Sequence, residues 1–336
     1  MRERYASIDI GTNTLRLLIA QLDGGKLKPL TVKRIITRLG GNFTEDIGIA
    51  ETSIERTIDT LRIFTNIIKG HGVKDVFAAA TSVVRRARNK DVFIKRVFDE
   101  TGIKVNLISG NEEAELSTLG VLSVIGMGTD FKSVPKCLVI DIGGGSTEFI
   151  LAEHGKMLGS WSMEMGVVHL TENYLKSDPP SQKELQDMEM EIERTIYDLQ
   201  FKIFNSKLQT PNSELFIGTA GTITTLAAID QNLETYRPEK INNYILKYDA
   251  VKGIYKHITS LTLMERQNVL SLEKGREDLI IPGTAIVLKA MQGFGFDKMT
   301  VSDAGLLEGI LIKQLLVSQG GIYPLPIDAL YGGQTN

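Results

Sequence analysis

A strand-turn-strand design is written twice in this chain of 336 residues, and few folds accommodate that. The first copy runs Tyr5-Ala6-Ser7-Ile8-Asp9-Ile10-Gly11-Thr12-Asn13-Thr14 and continues from Leu15 to Ala20. The second runs Cys137-Leu138-Val139-Ile140-Asp141-Ile142-Gly143-Gly144-Gly145-Ser146-Thr147-Glu148 and continues from Phe149 to Ala152. In each, an apolar strand ends in Asp-Ile-Gly, turns on small polar residues and resumes as a second strand, a hairpin signal with glycine at the bend. Asp141 follows Asp9 by 132 positions. That is a domain's length, not the roughly 20–50 residue period of a solenoid. A duplicated domain is the direct reading.

Between the hairpins the periodicity becomes helical. Glu51 to Lys69 places Ile54, Ile58, Leu61, Ile63, Phe64 and Ile67 at three- and four-residue steps, and Gly70 and Gly72 punctuate its end. Asp75 to Ala80 reads as a short buried strand, Asp91 to Glu100 as a helix, and Val105 to Ile108 as a strand stopping at Ser109-Gly110. Asn111 is placed to cap a helix running through Glu113 and Leu116 toward Val124. Gly126 to Lys136, with Pro135, reads as a domain boundary. Beyond it lie an amphipathic run from Ser181 to Leu208, a strand Glu214 to Ile217 and a loop Gly218 to Thr222. Strands alternating with helices in both halves predict an α/β chain of two domains facing one another across a cleft. The expected division is 1–130 and 131–302, with a helix over about 303–317 and a mobile tail over 318–336.

Composition narrows the partners. Hydrophobic residues make up 42% and charged residues 24%, ordinary for a folded protein of two domains. A net charge of −3 gives no global attraction to nucleic acid or anionic lipid, so a polyanion would need a local basic cluster. No apolar run approaches the roughly 20 residues that span a bilayer. Arg2, Glu3 and Arg4 lead into a strand without the pattern of a secretory signal, so the expected compartment is the cytoplasm. The single cysteine, Cys137, excludes an intrachain disulfide and a cysteine-rich metal site, and reads as core.

The turn Gly11 to Thr14 offers backbone N–H groups and the side chains of Thr12, Asn13 and Thr14. The turn Gly143-Gly144-Gly145-Ser146-Thr147 offers the same with three glycines and two hydroxyls. Small residues let the backbone approach an anion, and successive N–H groups cradle phosphate oxygens. Either turn alone is explained by hairpin geometry. Two Asp-tipped cradles on duplicated domains point to one phosphate ligand. Asp9 and Asp141 end their strands, and Glu148 follows the second cradle. Hard carboxylate oxygens suit Mg²⁺, which takes one or two of them and leaves other positions to water and phosphate. The competing role is bonding to turn amides. A third stretch, Gly218-Thr219-Ala220-Gly221-Thr222, precedes an apolar run that reads as a helix, pointing N–H groups at an anion. It lacks the P-loop ending, so this is no Walker-type NTPase. Neither hairpin passes straight into the helix that a dinucleotide fingerprint needs.

Hydrolysis of a phosphoanhydride asks for an in-line water, a metal and a group to orient the water. Glu112, Glu113 and Glu115 at a helix start are the candidates, and helical geometry lets at most one or two face one way. Their bland role is to complement the helix dipole. Arg16 and the run Arg85, Arg86, Arg88 supply cations, the run following a strand end through Thr81-Ser82. Arg offers a planar fork for phosphate oxygens. His71, His154, His169 and His257 lack metal-ligand spacing and read as structural or surface residues.

Six blocks together resemble the exopolyphosphatase / guanosine pentaphosphate phosphohydrolase (Ppx/GppA) family, from Ser7 to about Leu315. They are Asp9-Ile10-Gly11-Thr12-Asn13-Thr14 with Arg16; Ala80-Thr81-Ser82 with Arg85, Ala87 and Asn89; Ile108-Ser109-Gly110-Asn111-Glu112-Glu113-Ala114; Asp141 to Glu148; Gly218 to Thr222; and Ser302 to Ile310. The first, fourth and fifth recur across the wider actin/Hsp70/sugar-kinase superfamily. The second and third are more specific. The resemblance implies two duplicated ribonuclease-H-like (actin-like ATPase) domains, with Glu113 at the catalytic position and Asp141 and Glu148 organising metal and water. It places Arg85, Arg16 and Arg276 beside substrate, and a last helix returning to the first domain. Family members are often dimers, and a homodimer is compatible with this chain. Two departures stand out. The family's Gly-Leu-Arg-Glu-Gly reads Gly305-Leu306-Leu307-Glu308-Gly309, removing one basic residue, and the chain ends at Asn336 without the His-Asp pair of longer relatives.

The expectation is therefore a Mg²⁺-dependent hydrolase releasing phosphate from inorganic polyphosphate or from guanosine pentaphosphate, the latter placing it in the stringent response. Two rivals make other predictions. An acceptor kinase of the same superfamily requires an added small acceptor, and a nucleotide switch of actin or chaperone type assembles or binds a partner protein.

Overall fold

The computed structural model describes residues 3–23, 26–125, 134–206 and 213–318. Most of the expected boundary stretch and the tail after Ser318 lie outside the described residues. The chain divides into two compact units. One comprises the described residues up to Val124 with those from Ala304 on, and the other runs from Ile125 to Asp303.

In the first unit, β1 (Arg4–Ile10), β2 (Thr14–Asp23) and β3 (Lys26–Ile36) form an antiparallel meander. Then come α1 (Glu51–Gly70), β4 (Asp75–Ala80), α2 (Ser82–Arg86), α3 (Lys90–Thr101), β5 (Val105–Leu107) and α4 (Gly110–Ile125). The sheet order is β3-β2-β1-β4-β5, with β4 and β5 parallel to β1. Alternation sends Ile8, Ile10, Leu15 and Leu17 to one face, where they pack with Ile54, Ile58, Leu61 and Phe64 of α1.

In the second unit, β6 (Cys137–Ile142), β7 (Thr147–Glu153) and β8 (Lys156–Met163) repeat the meander. They precede α5 (Val167–Tyr174), α6 (Gln182–Asn205), β9 (Leu215–Thr219), α7 (Ala220–Asp230), α8 (Pro238–Ile241) and β10 (Ile245–Lys247). After these come α9 (Tyr248–Thr259), α10 (Leu263–Arg266), α11 (Ile280–Phe294) and β11 (Lys298–Val301). The order is β10-β11-β9-β6-β7-β8, with β9 parallel to β6 and β11 parallel to β9. Apart from the added edge strand β10, this is the arrangement of the first unit. The copies agree in detail: a register shift falls at Ile19/Ala20 and again at Leu151/Ala152, 132 positions on. The two units are duplicated ribonuclease-H-like domains of actin-like type.

The last helix, α12 (Leu306–Ser318), lies in the first unit. Leu307, Leu311, Ile312 and Leu315 pack on Tyr5, Leu18, Ala20 and Leu27, and the hydroxyl of Ser7 donates to the carbonyl of Leu307 at 2.7 Å. Leu307 is thus a core residue, which accounts for an apolar side chain at that position. Helices α4 and α12 meet backbone to backbone. A Cβ on Gly120 would lie 1.8 Å from the Gly305 carbonyl oxygen, and one on Gly309 1.8 Å from that of Leu116.

Two local expectations are corrected. Asn111 is inside α4, and Ser109 caps it instead: its hydroxyl accepts from the N–H of Glu112 at 3.2 Å, while Glu112 Oε2 accepts from the N–H of Ser109 at 2.9 Å. Asn111 is two positions too late to reach the orphan amides of the first turn. The stretch Gly218 to Thr222 is no loop. Gly218 and Thr219 end β9, and α7 begins at Ala220, whose φ of +73° makes the bend. Among the described residues no helix is long and apolar enough to cross a membrane.

Candidate active site

In a parallel sheet flanked by helices, functional groups gather at the carboxyl ends of the strands. Register in the first unit sets Ile10 beside Ala80, and Ala80 beside Leu107. The turn after β1, the start of α2 and the start of α4 therefore share one edge, which brings Asp9, Arg16, Arg85 and Glu113 to the same end of the sheet. Asp9 faces Arg16 across β1 and β2. Arg16 places both Nε (2.9 Å) and Nη2 (2.8 Å) on Asp9 Oδ2. Oδ1 is left buried with no hydrogen-bond partner among the described residues.

The turn itself is tied from within and from behind. The N–H of Gly11 donates to the carbonyl of Thr14 at 3.2 Å. The carbonyl of Asn13 accepts from the N–H groups of Thr37 and Arg38, and that of Thr12 from Gly40 at 2.8 Å. Thr12 and Asn13 are buried.

The three glutamates that sequence reasoning could not separate have three different jobs. Glu112 belongs to the capping box, and its bonds from Ser109 hold its carboxyl below the ordinary range. Glu115 pairs with Lys313 of α12 at 3.1 Å on the exposed side. Glu113 is 9% exposed, and its Oε2 accepts from Arg85 Nη1 at 3.1 Å. Arg85 thus sits on Glu113, whereas Arg86 pairs with Glu45 at 3.0 Å and Arg88 is exposed.

In the second unit Asp141 faces Glu148 across β6 and β7, and Thr219 across β6 and β9. Glu148 occupies the place that Arg16 holds in the first copy, so a cation-carboxylate pair has become two opposed carboxylates. Glu148 is 2% exposed, and its Oε1 accepts from the Ser162 hydroxyl at 2.7 Å. The turn repeats the first: the N–H of Gly143 donates to the carbonyl of Ser146 at 2.9 Å. The carbonyls of Gly143 and Gly144 accept from Val167 and Val168 at 3.1 and 2.9 Å, and Thr147 donates its hydroxyl to the carbonyl of Met165. The N–H groups of Gly144, Gly145 and Ser146 enter none of these bonds. Thr219 and Thr222 are buried at the start of α7, and Arg276 covers it: a Cβ on Gly221 would fall 1.9 Å from Arg276 Nη1. Arg276 Nε lies 2.7 Å from Glu273 Oε2.

Each unit carries hard carboxylate oxygens of the kind that suit Mg²⁺. Asp9 has an orphaned buried oxygen, and Asp141 opposes Glu148. Among the described residues no group of three His, Cys, Asp or Glu side chains is placed to hold a metal ion. Cys137 is buried at the far end of β6, where burial pushes its thiol to about 12, and it has no part in this chemistry.

Sequence reasoning missed Ser109, Ser162 and the two segments behind the turns. The Ser-x-x-Glu spacing of Ser109 and Glu112 is a capping-box signal that could have been read. Nothing in the sequence marks the others, which come from different strands and connections.

This chain matches the family model described as the Ppx/GppA phosphatase family over residues 18–318. It belongs to that family. The chain is 34% identical over 322 residues to the bifunctional 3-dehydroquinate synthase/phosphatase of Fusobacterium nucleatum, covering 92% of this chain but only 46% of that longer protein. It is 32% identical to exopolyphosphatase 2 of Mycobacterium tuberculosis, covering 92% of this chain and 98% of that one. The crystal structure of the Aquifex aeolicus family member superposes with a TM-score of 0.77 at 33% identity, covering 95% of this chain and 99% of that one.

Proposed function

We propose that this family member hydrolyses the terminal phosphoanhydride of inorganic polyphosphate in a Mg²⁺-dependent reaction. The observation that carries this reading is Glu113: the one buried glutamate of its helix start, held by Arg85 at the strand-end edge that also bears the Asp9 turn. The named activity of the mycobacterial relative supports the substrate class. Arg276 favours polyphosphate over guanosine pentaphosphate, because at the start of α7 a guanidinium covers Gly221 and offers an anion contact in place of a slot for a base.

In the first unit the turn that follows Gly11, with Arg16 and Arg85, takes phosphoryl oxygens, and in the second the amides of Gly144, Gly145 and Ser146, with Arg276, do the same. Glu113 orients a water in line with the terminal phosphorus and accepts its proton. The new P–O bond forms as the bridging P–O bond breaks, and the electron pair leaves with the shortened chain. In the second unit Asp141 and Glu148 would hold Mg²⁺, which offsets the charge on the phosphate oxygens when bound, and in the first unit Asp9 offers a further carboxylate of the same kind.

The test is phosphate release from polyphosphate and from guanosine pentaphosphate, each alone and in competition, with Mg²⁺ and after chelation. The expected result is a higher kcat/KM on polyphosphate, lost on chelation. A higher kcat/KM on the guanosine substrate overturns the substrate assignment, and full activity in chelator overturns the metal.

A further inference from the structure

The guanidinium of Arg276 stands where a helix repels a cation. A Cβ on Gly221 would lie 1.9 Å from Nη1, 2.5 Å from Cζ and 2.6 Å from Nη2, so the whole group rests on the first turn of α7. That turn is the positive end of an 11-residue helix. It contains no acidic residue, and its cap residue, Thr219, makes no side-chain cap bond. Charge to offset the repulsion has to come from another segment. The backbone of Arg276 is fixed ahead of α11: its N–H donates to the carbonyl of Glu273 at 3.1 Å, and its carbonyl accepts from the N–H groups of Leu279 and Ile280 at 3.0 Å each. Gly275, at φ +87°, donates its N–H to Glu277 Oε2 at 2.8 Å. These bonds aim the side chain but leave its torsions unset. Glu273 Oε2 lies 2.7 Å from Arg276 Nε, while the Nη groups lie against Gly221. Among the described residues Nε enters no directed hydrogen bond, so this hold is charge on charge.

We infer that Glu273 is a positioning residue: its carboxylate keeps the Arg276 guanidinium over the start of α7, where it serves the substrate as an anion contact. That the contact is made to a phosphate unit rests on the polyphosphate assignment. The competing role for Glu273 predicts the opposite sign. A carboxylate with its side chain 35% exposed repels a polyanion beside it, but the effect is screened to about fivefold in affinity at most. Removing such a group tightens binding. A charge-assisted bond from arginine to phosphate is worth about tenfold or more. If Glu273 positions Arg276, its removal gives up that bond, and the loss outweighs the relief of repulsion. Binding then loosens.

The full chain is assayed with Mg²⁺ on polyphosphate as wild type, Glu273→Gln, Arg276→Gln and the double variant. Glu273→Gln should raise KM by about tenfold or more while kcat stays within about twofold. Glu273→Asp, which keeps the charge on a shorter stem, should recover part of the loss. On the Arg276→Gln background the sign should reverse: Glu273→Gln should lower KM by up to about fivefold, because only repulsion is left to remove. A merely structural role gives the same sign on both backgrounds. A crystal structure of Glu273→Gln, determined without substrate, should show the guanidinium off Gly221. Unchanged or lower KM in Glu273→Gln, equal effects on the two backgrounds, or a guanidinium still seated on Gly221 would each overturn the assignment. A wild type that prefers guanosine pentaphosphate overturns the choice of substrate alone, and the same four proteins then test Glu273 on that substrate. If neither substrate is cleaved, the proposed function falls and the crystal structure decides whether Glu273 positions Arg276.

Discussion

Arg85 fixes Glu113 from a guanidinium that is itself fixed: Nη1 donates to Glu113 Oε2 at 3.1 Å and to the carbonyl of Ile108 at 2.9 Å. The carboxylate is therefore held against the end of β5, one turn into α4. In the proposed reaction Glu113 orients water, a task that needs direction more than basicity, and the bond to Arg85 supplies direction.

It follows that the two residues act as a unit. Glu113→Gln removes the proton acceptor but keeps an oxygen for Arg85, so kcat should fall by roughly a hundred- to ten-thousand-fold with little change in unfolding midpoint. Arg85→Ala should lower kcat too, and Arg85→Lys should recover only part, since an ammonium lacks the fork. In the double variant the losses should not add, because a misdirected glutamine has nothing left to lose. Additive losses in single-turnover kinetics would mean that Arg85 works independently of Glu113.

The cap beneath this pair makes a separate, pH-dependent prediction. Ser109→Ala removes the hydroxyl that accepts from the N–H of Glu112 and should destabilise by about 1 kcal/mol at neutral pH. Glu112 is held below the ordinary carboxyl range by Ser109, so its share is fully present above the unfolded value, about 4.3. That share is lost as pH falls through the lower folded value. Denaturant titrations of the two proteins should therefore converge as the solution is acidified. A gap that widens in acid would contradict the cap.

Helix α4 owes its position to α12. With 1.8 Å between a hypothetical Cβ on Gly309 and the Leu116 carbonyl oxygen, Gly309→Ala must push two backbones apart. The cost is expected at about 1–3 kcal/mol or more, the range of overpacked cores, measured as a lower denaturant midpoint. Because α4 carries Glu113, kcat should fall in the molecules that remain folded. Unchanged kcat with lowered stability would separate the packing role from the catalytic one.

How much of this was legible in the sequence depends on how local each signal is. The hairpins were plain, because alternation and the Asp-Ile-Gly turns are written in adjacent residues, and the spacing of Asp9 and Asp141 announced the duplication. Helix α1 was plain from its apolar steps. Asn111 misled because it is a good cap residue two positions from a better one, and only the reciprocal Ser109–Glu112 spacing tells them apart. The choice of Glu113 came from family resemblance. The side-chain physics of Glu112, Glu113 and Glu115 is identical until Ser109 and Lys313 claim two of them. The pairing of Arg85 with Glu113 and of Arg276 with Gly221 joins elements distant in sequence, and no local pattern records it.

The second turn offers the most discriminating variant. The carbonyls of Gly143 and Gly144 are taken by Val167 and Val168, which turns the following amides away from α5. That arrangement needs Gly166 to lie against the turn, where a Cβ would fall 2.3 Å from the Gly144 oxygen and from the carbonyl carbon of Gly145. The φ of Gly166, −97°, is one that alanine adopts readily, so Gly166→Ala acts only through this contact. If the turn amides bind phosphate, displacing them by a fraction of an ångström should lower kcat/KM on polyphosphate by about tenfold or more, since misplacing a reacting group by about 1 Å costs roughly a hundredfold. Gly253→Ala is the control. Nothing lies within 4 Å of its Cβ position, inside α9, so it should leave activity unchanged and stability equal or up to about 1 kcal/mol higher. Wild-type kcat/KM in Gly166→Ala, with the turn shown by crystallography to have moved, would remove the 143–147 amides from the phosphate site.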